Sequence, residues 1–227
     1  MSRSLLSRAT ELYYGAVAYA RANANKPGIR ITPEIYLKEY GAIATAVSTA
    51  VAASQTITSP AAAVINGTLA VGGIATFAVA RNVVAAWTNT AIITIVGTDE
   101  YGSVMTETSA SGVAHTGKKA FKTVTSITPN ATVTLFTAGN GVVIGLPFRV
   151  DANGLLQMIQ DGAATTTTLV VADTATATGT TGDVRGTVVF ANAPNATRVY
   201  SILLKVAGAS SKLLAYGIKQ FGSSDTV

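Results

Sequence analysis

The sequence contains no cysteine and a single histidine, His115. Without cysteine the chain can form neither a disulfide nor a thiolate metal site. One histidine is too few for a three-histidine zinc site, and no serine in a nucleophile-elbow motif lies near it to complete a catalytic triad. We therefore predict that the protein is not an enzyme and that it binds no cofactor and no small-molecule substrate.

Charged residues are also scarce, at 12% of the 227 residues, against about 25% in typical soluble proteins. The net charge is +5, and the 16 basic residues are scattered, with the densest group at Lys118, Lys119 and Lys122. Nucleic-acid-binding proteins concentrate such residues in a patch, so we expect no nucleic-acid partner and interpret this group as solvated. The positive charge is compatible with a weak attraction to an acidic protein surface.

No charged residue occurs from Gly41 to Ala80. Residues 61–80 are apolar enough for a hydropathy window to flag a membrane helix. However, Pro60 precedes this window and several glycines interrupt it, and short runs of valine, isoleucine and threonine between glycines are typical of strands. The basic start of the chain is not followed by the apolar stretch of a signal peptide. We expect neither a membrane segment nor a secretory signal.

Residues 1–40 differ from the rest of the chain and carry nine charges. Apolar residues recur at helical spacing from Leu5 to Ala20, before a break at Asn25–Gly28. From Thr32 to Gly41, an N-cap residue, a proline, an i,i+4 ion pair and a terminal glycine indicate a second short helix. We predict a helical or extended N-terminal segment over residues 1–40, which packs either on its own domain or on another protein.

Residues 41–227 are typical of an all-β body. Strand-like stretches and turn residues alternate every 8–12 residues or so, which predicts an antiparallel β-sandwich or a jelly-roll-like fold. Turn residues predict hairpin loops at Asp99–Gly102, Thr128–Asn130 and Gly139–Gly141, with a further break at Asn192–Asn195. The predicted strands are Val64–Ala70, Ile74–Ala80, Val83–Trp87, Ala91–Val96, Val104–Thr108, Ala120–Ile127, Thr132–Phe136, Val142–Leu146, Leu155–Ile159, Leu169–Ala172, Gly186–Phe190, Val199–Val206 and Leu213–Ile218.

Residues 163–181 form a threonine-rich stretch of low complexity. It contains a run of four threonines, Thr165–Thr168, and then alternates threonine with small residues up to Thr180. Such a pattern favours an extended arm or an edge strand whose register is weakly specified, and a loop is the alternative.

Several residues partly match chemical motifs, but structural roles are predicted for them. Gly112–Lys118 matches the first seven positions of a phosphate-binding loop, but Lys119 replaces the required serine or threonine, and a strand-like stretch follows. We therefore predict no nucleotide site and place His115 in a loop. Asp99 and Glu100 are predicted to be solvated in their turn, and Trp87, the only tryptophan, is predicted to pack in the core.

Five stretches carry a further signal, in this order along the chain: Arg81–Trp87, Ala91–Gly102, Gly117–Val124, Gly145–Pro147 and Thr181–Thr187. Together they resemble the virion structural proteins of tailed bacteriophages, in particular the small β-rich capsid decoration proteins, also called cement proteins. The resemblance extends over roughly residues 80–190, about half of the chain.

The resemblance implies an accessory protein on the outer surface of a virion capsid, bound to the major capsid protein as a homotrimer. The β body would form the trimer, and residues 1–40 would reach onto the major capsid protein. Two alternatives remain open, a tail, collar or fibre component of the virion, and a surface adhesin or carbohydrate-binding module. The residues expected to anchor the chain are Leu5, Leu6, Leu12, Tyr13 and Tyr14.

Overall fold

The structure, a computed structural model, describes residues 34–206 and residue 220 of the chain. Every helix or strand assigned in this part of the chain is a β-strand, which confirms the predicted mainly β class. The strands form one sheet of ten and one of four. They are β1 (Glu34–Ala42), β2 (Ala52–Ile57), β3 (Ala70–Val71), β4 (Ile74–Ala91), β5 (Ile93–Thr98), β6 (Val104–Thr108), β7 (Gly112–Thr116), β8 (Phe121–Pro129), β9 (Val133–Gly145), β10 (Leu155–Gln160), β11 (Ala163–Thr165), β12 (Thr167–Val170), β13 (Thr187–Phe190) and β14 (Val199–Val206).

The ten-stranded sheet is antiparallel and is organised around its longest strand, β4. Its main order is β12-β13-β9-β4-β8-β5-β6, while β2 joins β9, and β3 and β7 join β4. The sheet curls around an apolar core that includes Phe77, Phe121 and Phe136. Trp87 lies in the same core and donates its indole N–H to the carbonyl of Gly112 at 2.9 Å. The predicted core position of Trp87 is therefore confirmed.

The four-stranded sheet has the order β1-β14-β10-β11. Its strand β14 contributes Tyr200, Ile202 and Leu204 to a second buried cluster, which also contains Ile144 of β9 and Phe190 of β13. The rings of Phe190 and Tyr200 stack with their centroids 4.1 Å apart. Side chains from both sheets thus share one core, as the predicted β-sandwich requires.

The prediction of a second short helix over residues 32–41 is wrong, because Glu34–Ala42 form strand β1. Tyr40 of this strand packs on the second cluster, and its ring lies 6.1 Å from that of Phe190. The local helix signals are each worth at most about 2 kcal/mol, and strand pairing together with burial of aromatic surface outweighs them. Residues 1–33 lie outside the described residues, so the helix from Leu5 to Ala20 and the division of the chain at residue 40 stay predictions.

The hairpin predicted at residues 139–141 is also wrong, since these residues lie within strand β9. A side-chain carbon on Gly139 would collide with the carbonyl of Val47, and one on Gly141 would collide with the side chain of Asn82. Asn140 accepts the N–H of Val47 through its side-chain oxygen at 3.0 Å. The two glycines therefore allow other parts of the chain to approach β9 closely, and they do not reverse its direction.

The remaining predicted turns are confirmed in part. Asp99–Gly102 joins the paired strands β5 and β6, and Asn192–Asn195 separates β13 from β14. Thr128–Asn130 ends β8, but it is no hairpin loop, because β8 pairs with β4 and β5 and not with β9. The predicted strand Val64–Ala70 is irregular up to residue 69. At its start, the side chain of Gln55 binds the backbone of Val64.

The threonine-rich stretch contains two short edge strands, β11 in the four-stranded sheet and β12 in the ten-stranded sheet. The prediction of an edge strand is confirmed for these two pieces, whereas residues 171–181 are irregular. The carboxylate of Asp173 accepts the N–H of Ala175 at 3.0 Å and that of Gly182 at 2.8 Å, which closes the irregular part into a loop. The strand predicted for Leu213–Ile218 lies outside the described residues.

Candidate interaction surface

The described end of the predicted anchoring segment, residues 34–40, belongs to strand β1. Side chains alternate along a strand, so β1 has two different faces. Tyr40 packs on the second cluster, and Tyr36 on the same face is 42% exposed, with its ring 5.4 Å from that of Phe148. Ile35 and Leu37 lie on the other face and are 57% and 50% exposed. The five predicted anchors themselves lie outside the described residues: Leu5, Leu6, Leu12, Tyr13 and Tyr14.

The apolar side of β1 continues across the four-stranded sheet. On β14, Leu203 lies between the buried Ile202 and Leu204 and so faces away from the core. On β10, Leu156 is exposed at an irregularity in the pairing with β14. We call the side formed by Ile35, Leu37, Leu156 and Leu203 the outer face of the small sheet. Ile35, Leu37 and Leu156 are exposed and Leu203 is half-buried, and by the same alternation Glu39 and Lys205 also lie on this face. Exposed apolar side chains on one side of a sheet are typical of contact surfaces.

A second exposed surface consists of residues 54–78, and we call it the charge-free face because it contains no charged side chain. It includes most of β2, the irregular chain that follows, β3 and the start of β4. Val71 is 83% exposed, and Val64, Leu69 and Ile74 are exposed as well. Sequence reasoning missed this surface, although the uncharged run and the glycine pair at Gly72 and Gly73 could have indicated it.

Hydrogen bonds hold the charge-free face in one conformation. The side-chain amide of Gln55 donates to the carbonyl of Val64 and accepts its N–H, both at 2.9 Å. The N–H of Thr76 donates to the carbonyl of Leu69 at 3.2 Å. Val71 and Ile74 are paired across the hairpin that joins β3 to β4. The exposed apolar side chains are therefore carried by a backbone that is already ordered.

Asp99 was predicted to be solvated, but it is buried together with Arg185. The Oδ2 atom of Asp99 accepts a hydrogen bond from Nη1 of Arg185 at 2.7 Å, and its Oδ1 atom accepts the N–H groups of Tyr101 and Ser103. The guanidinium also lies over the ring of Tyr101, 4.7 Å from its centroid. Glu100 is exposed, as predicted, and lies 3.4 Å from the ammonium of Lys122.

Lys119 was predicted to be solvated with its neighbours, but it is fully buried, at 0% exposure. Its ammonium donates to the carbonyl of Thr178 at 2.6 Å and to that of Gln220 at 3.0 Å. Burial lowers the pKa of Lys119 because the charged form loses its hydration. Lys118 beside it is exposed. The two carbonyls that bind Lys119 come from distant parts of the chain, so adjacent positions in the sequence could not separate a buried lysine from a solvated one.

Asp183 lies in the same buried region. Its carboxylate accepts the N–H of Ala120 at 3.0 Å and a hydrogen bond from the side-chain amide of Gln220 at 3.1 Å. Burial raises the pKa of Asp183, although these hydrogen bonds act in the opposite direction. Asp183 and Lys119 thus fasten Gln220 and the threonine-rich loop to the body, which is a structural role.

His115 lies in strand β7 opposite Ala85, so the predicted loop position is wrong. Its Nε2 atom is 3.7 Å from Oε2 of Glu107, which is beyond hydrogen-bonding distance. Because Gly112–Thr116 form a strand, the partial phosphate-loop motif lacks the helix N-terminus that would face a phosphate. Among the described residues, no group of three or more histidine, aspartate or glutamate side chains could hold a metal ion.

A small cleft lies beside Tyr40 and Tyr101, between β1, β4 and the end of β9. Its volume is about 180 Å³, whereas pockets for small organic ligands usually have volumes of about 300–1,000 Å³. The hydroxyls of the two tyrosines donate to the carbonyls of Gly145 and Pro147 at 2.9 and 2.7 Å. These hydroxyls therefore bind the protein's own backbone.

Comparison with known proteins gives no relative, since no protein-family model, curated protein or solved structure matches the chain. Within residues 34–206, no helix has the length and apolar character needed to cross a membrane. The two exposed apolar surfaces are therefore the features of the described chain from which a function has to be argued.

Proposed function

We propose that this protein is a structural virion protein, which decorates a bacteriophage capsid and stabilises it by binding the outer surface of the major capsid protein lattice. In this role it is a homotrimer, is not an enzyme and needs no cofactor. Two features support this function. The five stretches between residues 80 and 190, in their order along the chain, resemble capsid decoration proteins. The small sheet also has an outer face with exposed apolar side chains.

The outer face of the small sheet is the observation that carries the proposal. Ile35 and Leu37 lie at the end of the segment expected to reach the capsid, and they expose apolar side chains on an edge strand. Each 100 Å² of apolar surface removed from water contributes about 2.5 kcal/mol before the costs of association. A lattice protein that covers this face would therefore gain free energy without needing a charged or catalytic group.

The oligomer and the lattice amplify this gain. Once one subunit of a trimer is bound, the others are held next to equivalent sites on the repeating surface. The second and third contacts are then intramolecular, and such multivalency raises overall affinity by about 10²–10⁴ without any new kind of contact. The net charge of +5 additionally favours approach to an acidic capsid surface.

Rebinding to particles stripped of this protein tests the function. We expect the purified wild type to rebind saturably, in a fixed ratio to the major capsid protein. Leu37→Asp should weaken rebinding at least about tenfold, because it replaces an exposed apolar side chain of the outer face with a charged one. Val113→Asp is the matched control, since it changes an exposed valine of the large sheet by the same charge.

Three results separate the possible failures. Absence of wild-type rebinding would reject capsid decoration. Equal rebinding by the two variants would reject the outer face as the contact. Saturation at only a handful of copies per particle would instead favour the tail, collar or fibre alternative.

A further inference from the structure

We infer that the charge-free face, residues 54–78, binds a second copy of this chain. Whereas the outer face of the small sheet is assigned to the capsid, the charge-free face lies on the large sheet and on the chain that precedes it. The inference rests on the homotrimer of the proposed function and deepens it by naming the surface that joins its subunits. It concerns the isolated protein in solution, so its test is separate from the test of capsid binding.

The face is built to present apolar side chains. Gly72 and Gly73 both have positive φ, +59° and +78°, which is the geometry of a type I′ turn and fits the twist of the flanking strands. This turn holds Val71 and Ile74 side by side, with Val71 83% exposed and Ile74 43% exposed. Because the hairpin is already ordered, little conformational entropy remains to be lost when a partner covers it.

The absence of charge identifies the kind of partner. Each copy carries a net charge of +5, so two copies repel each other at long range. Two copies of one positively charged chain can pack closely at low cost only where the contact brings no like charges together. The uncharged stretch from Gly41 to Ala80 covers the whole of this face. A strongly acidic partner would instead be recognised by lysine and arginine, and residues 54–78 contain neither. Lys122 of β8 lies only at the edge of the face, where its ammonium donates to the carbonyl of Ala78 at 2.8 Å.

The number of accessible residues in this stretch reaches the lower end of the range for one side of an interface. Between Ser54 and Ala78, 16 residues are exposed and 4 more are half-buried. A standard protein interface uses about 20–30 residues from each partner. Apolar side chains at its centre, here Val64, Leu69, Val71 and Ile74, are what interface cores contain.

Multi-angle light scattering and analytical ultracentrifugation of the full chain test this inference. We expect the wild type to have a mass at least twice the 23.0 kDa of one chain. Val71→Glu should raise the dissociation constant at least about tenfold and give monomers at low concentration. Val104→Glu is the matched control, because Val104 of β6 is also exposed, at 64%, and the charge change is identical. The near-ultraviolet signal of Trp87 checks that both variants are folded.

A second measurement uses the lack of native cysteine. In Val71→Cys, maleimide should react slowly at high protein concentration and faster on dilution, whereas in Val104→Cys the rate should not depend on concentration. A wild type that is monomeric at every concentration would overturn the inference. Equal dissociation of the Val71→Glu and Val104→Glu variants, or concentration-independent labelling at position 71, would overturn it as well.

Discussion

At the scale of single residues, the buried ion pair between Asp99 and Arg185 has the largest predicted effect on stability. Both side chains are almost fully buried. Removal of one partner leaves the other as an uncompensated buried charge, which typically costs about 3–5 kcal/mol. We expect Arg185→Met to lower the free energy of unfolding by about this amount in urea denaturation. Lys118→Met removes the same charge from an exposed position and should have little effect. Equal losses in the two variants would contradict this role of the pair.

Gly139 gives a second test at the residue scale. A methyl group there would collide with the carbonyl of Val47, so Gly139→Ala forces the backbone apart. Overpacking of this kind costs about 1–3 kcal/mol, and we expect thermal denaturation to show it. Gly112→Ala is the control, because no atom lies within 4 Å of the added carbon and its φ is not positive. If Gly139→Ala were as stable as Gly112→Ala, Gly139 would not be required for close packing.

Residue roles were predictable from sequence only where the signal was local. A lone tryptophan in an apolar run is usually buried, and Trp87 is. The predicted environments of Asp99 and Lys119 were wrong because their partners lie far along the chain. Arg185 is 86 residues from Asp99, and Gln220 is 101 residues from Lys119. No spacing rule connects such positions before the fold is known.

At the scale of elements, the loop closed by Asp173 has a defined dependence on pH. Hydrogen bonds from the N–H group of Ala175, which contributes most, and from that of Gly182 hold the pKa of Asp173 below its ordinary value of 3.8. The carboxylate therefore stabilises the folded loop above that pH, and this stabilisation is lost as the pH falls through the lowered folded-state pKa.

Hydrogen exchange of residues 174–181 measures this effect. We expect wild-type protection to fall below about pH 3.8. In Asp173→Ala, protection of the loop should be low at neutral pH as well. The variant should also lack the fall in protection on acidification, which we call the acid step. Asp151→Ala, which removes a carboxylate from another turn, is the control and should keep the wild-type profile. An unchanged acid step in Asp173→Ala would exclude Asp173 as its source.

The strands themselves were largely predictable, because alternation and turn residues act locally. The errors have two physical causes. In β1, residues with local helix signals form a strand since the half-buried Tyr40 packs against the second cluster. In β9, glycine and asparagine at residues 139–141 resemble a turn, but they allow the close approach of Val47. Tertiary contacts decide both cases, and a local pattern does not contain them.

At the scale of the whole molecule, the sandwich could be predicted and its contact surfaces could not. Regular turn spacing indicated two packed sheets, and side chains of both sheets share the second cluster. The charge-free run was visible in the sequence, but only the fold shows that Val71 and its neighbours are exposed. Apolar composition alone does not distinguish a core strand from a contact face.

The central proposal, that this protein decorates a capsid lattice, is tested most directly by counting its copies in purified particles of the phage that, under this proposal, encodes it. Quantitative mass spectrometry of intact virions gives this count relative to the major capsid protein. We predict a fixed simple ratio to the major capsid protein, with copies in the hundreds per particle and located on the outer surface. A handful of copies per particle, or none in particles that are otherwise complete, would contradict the claim.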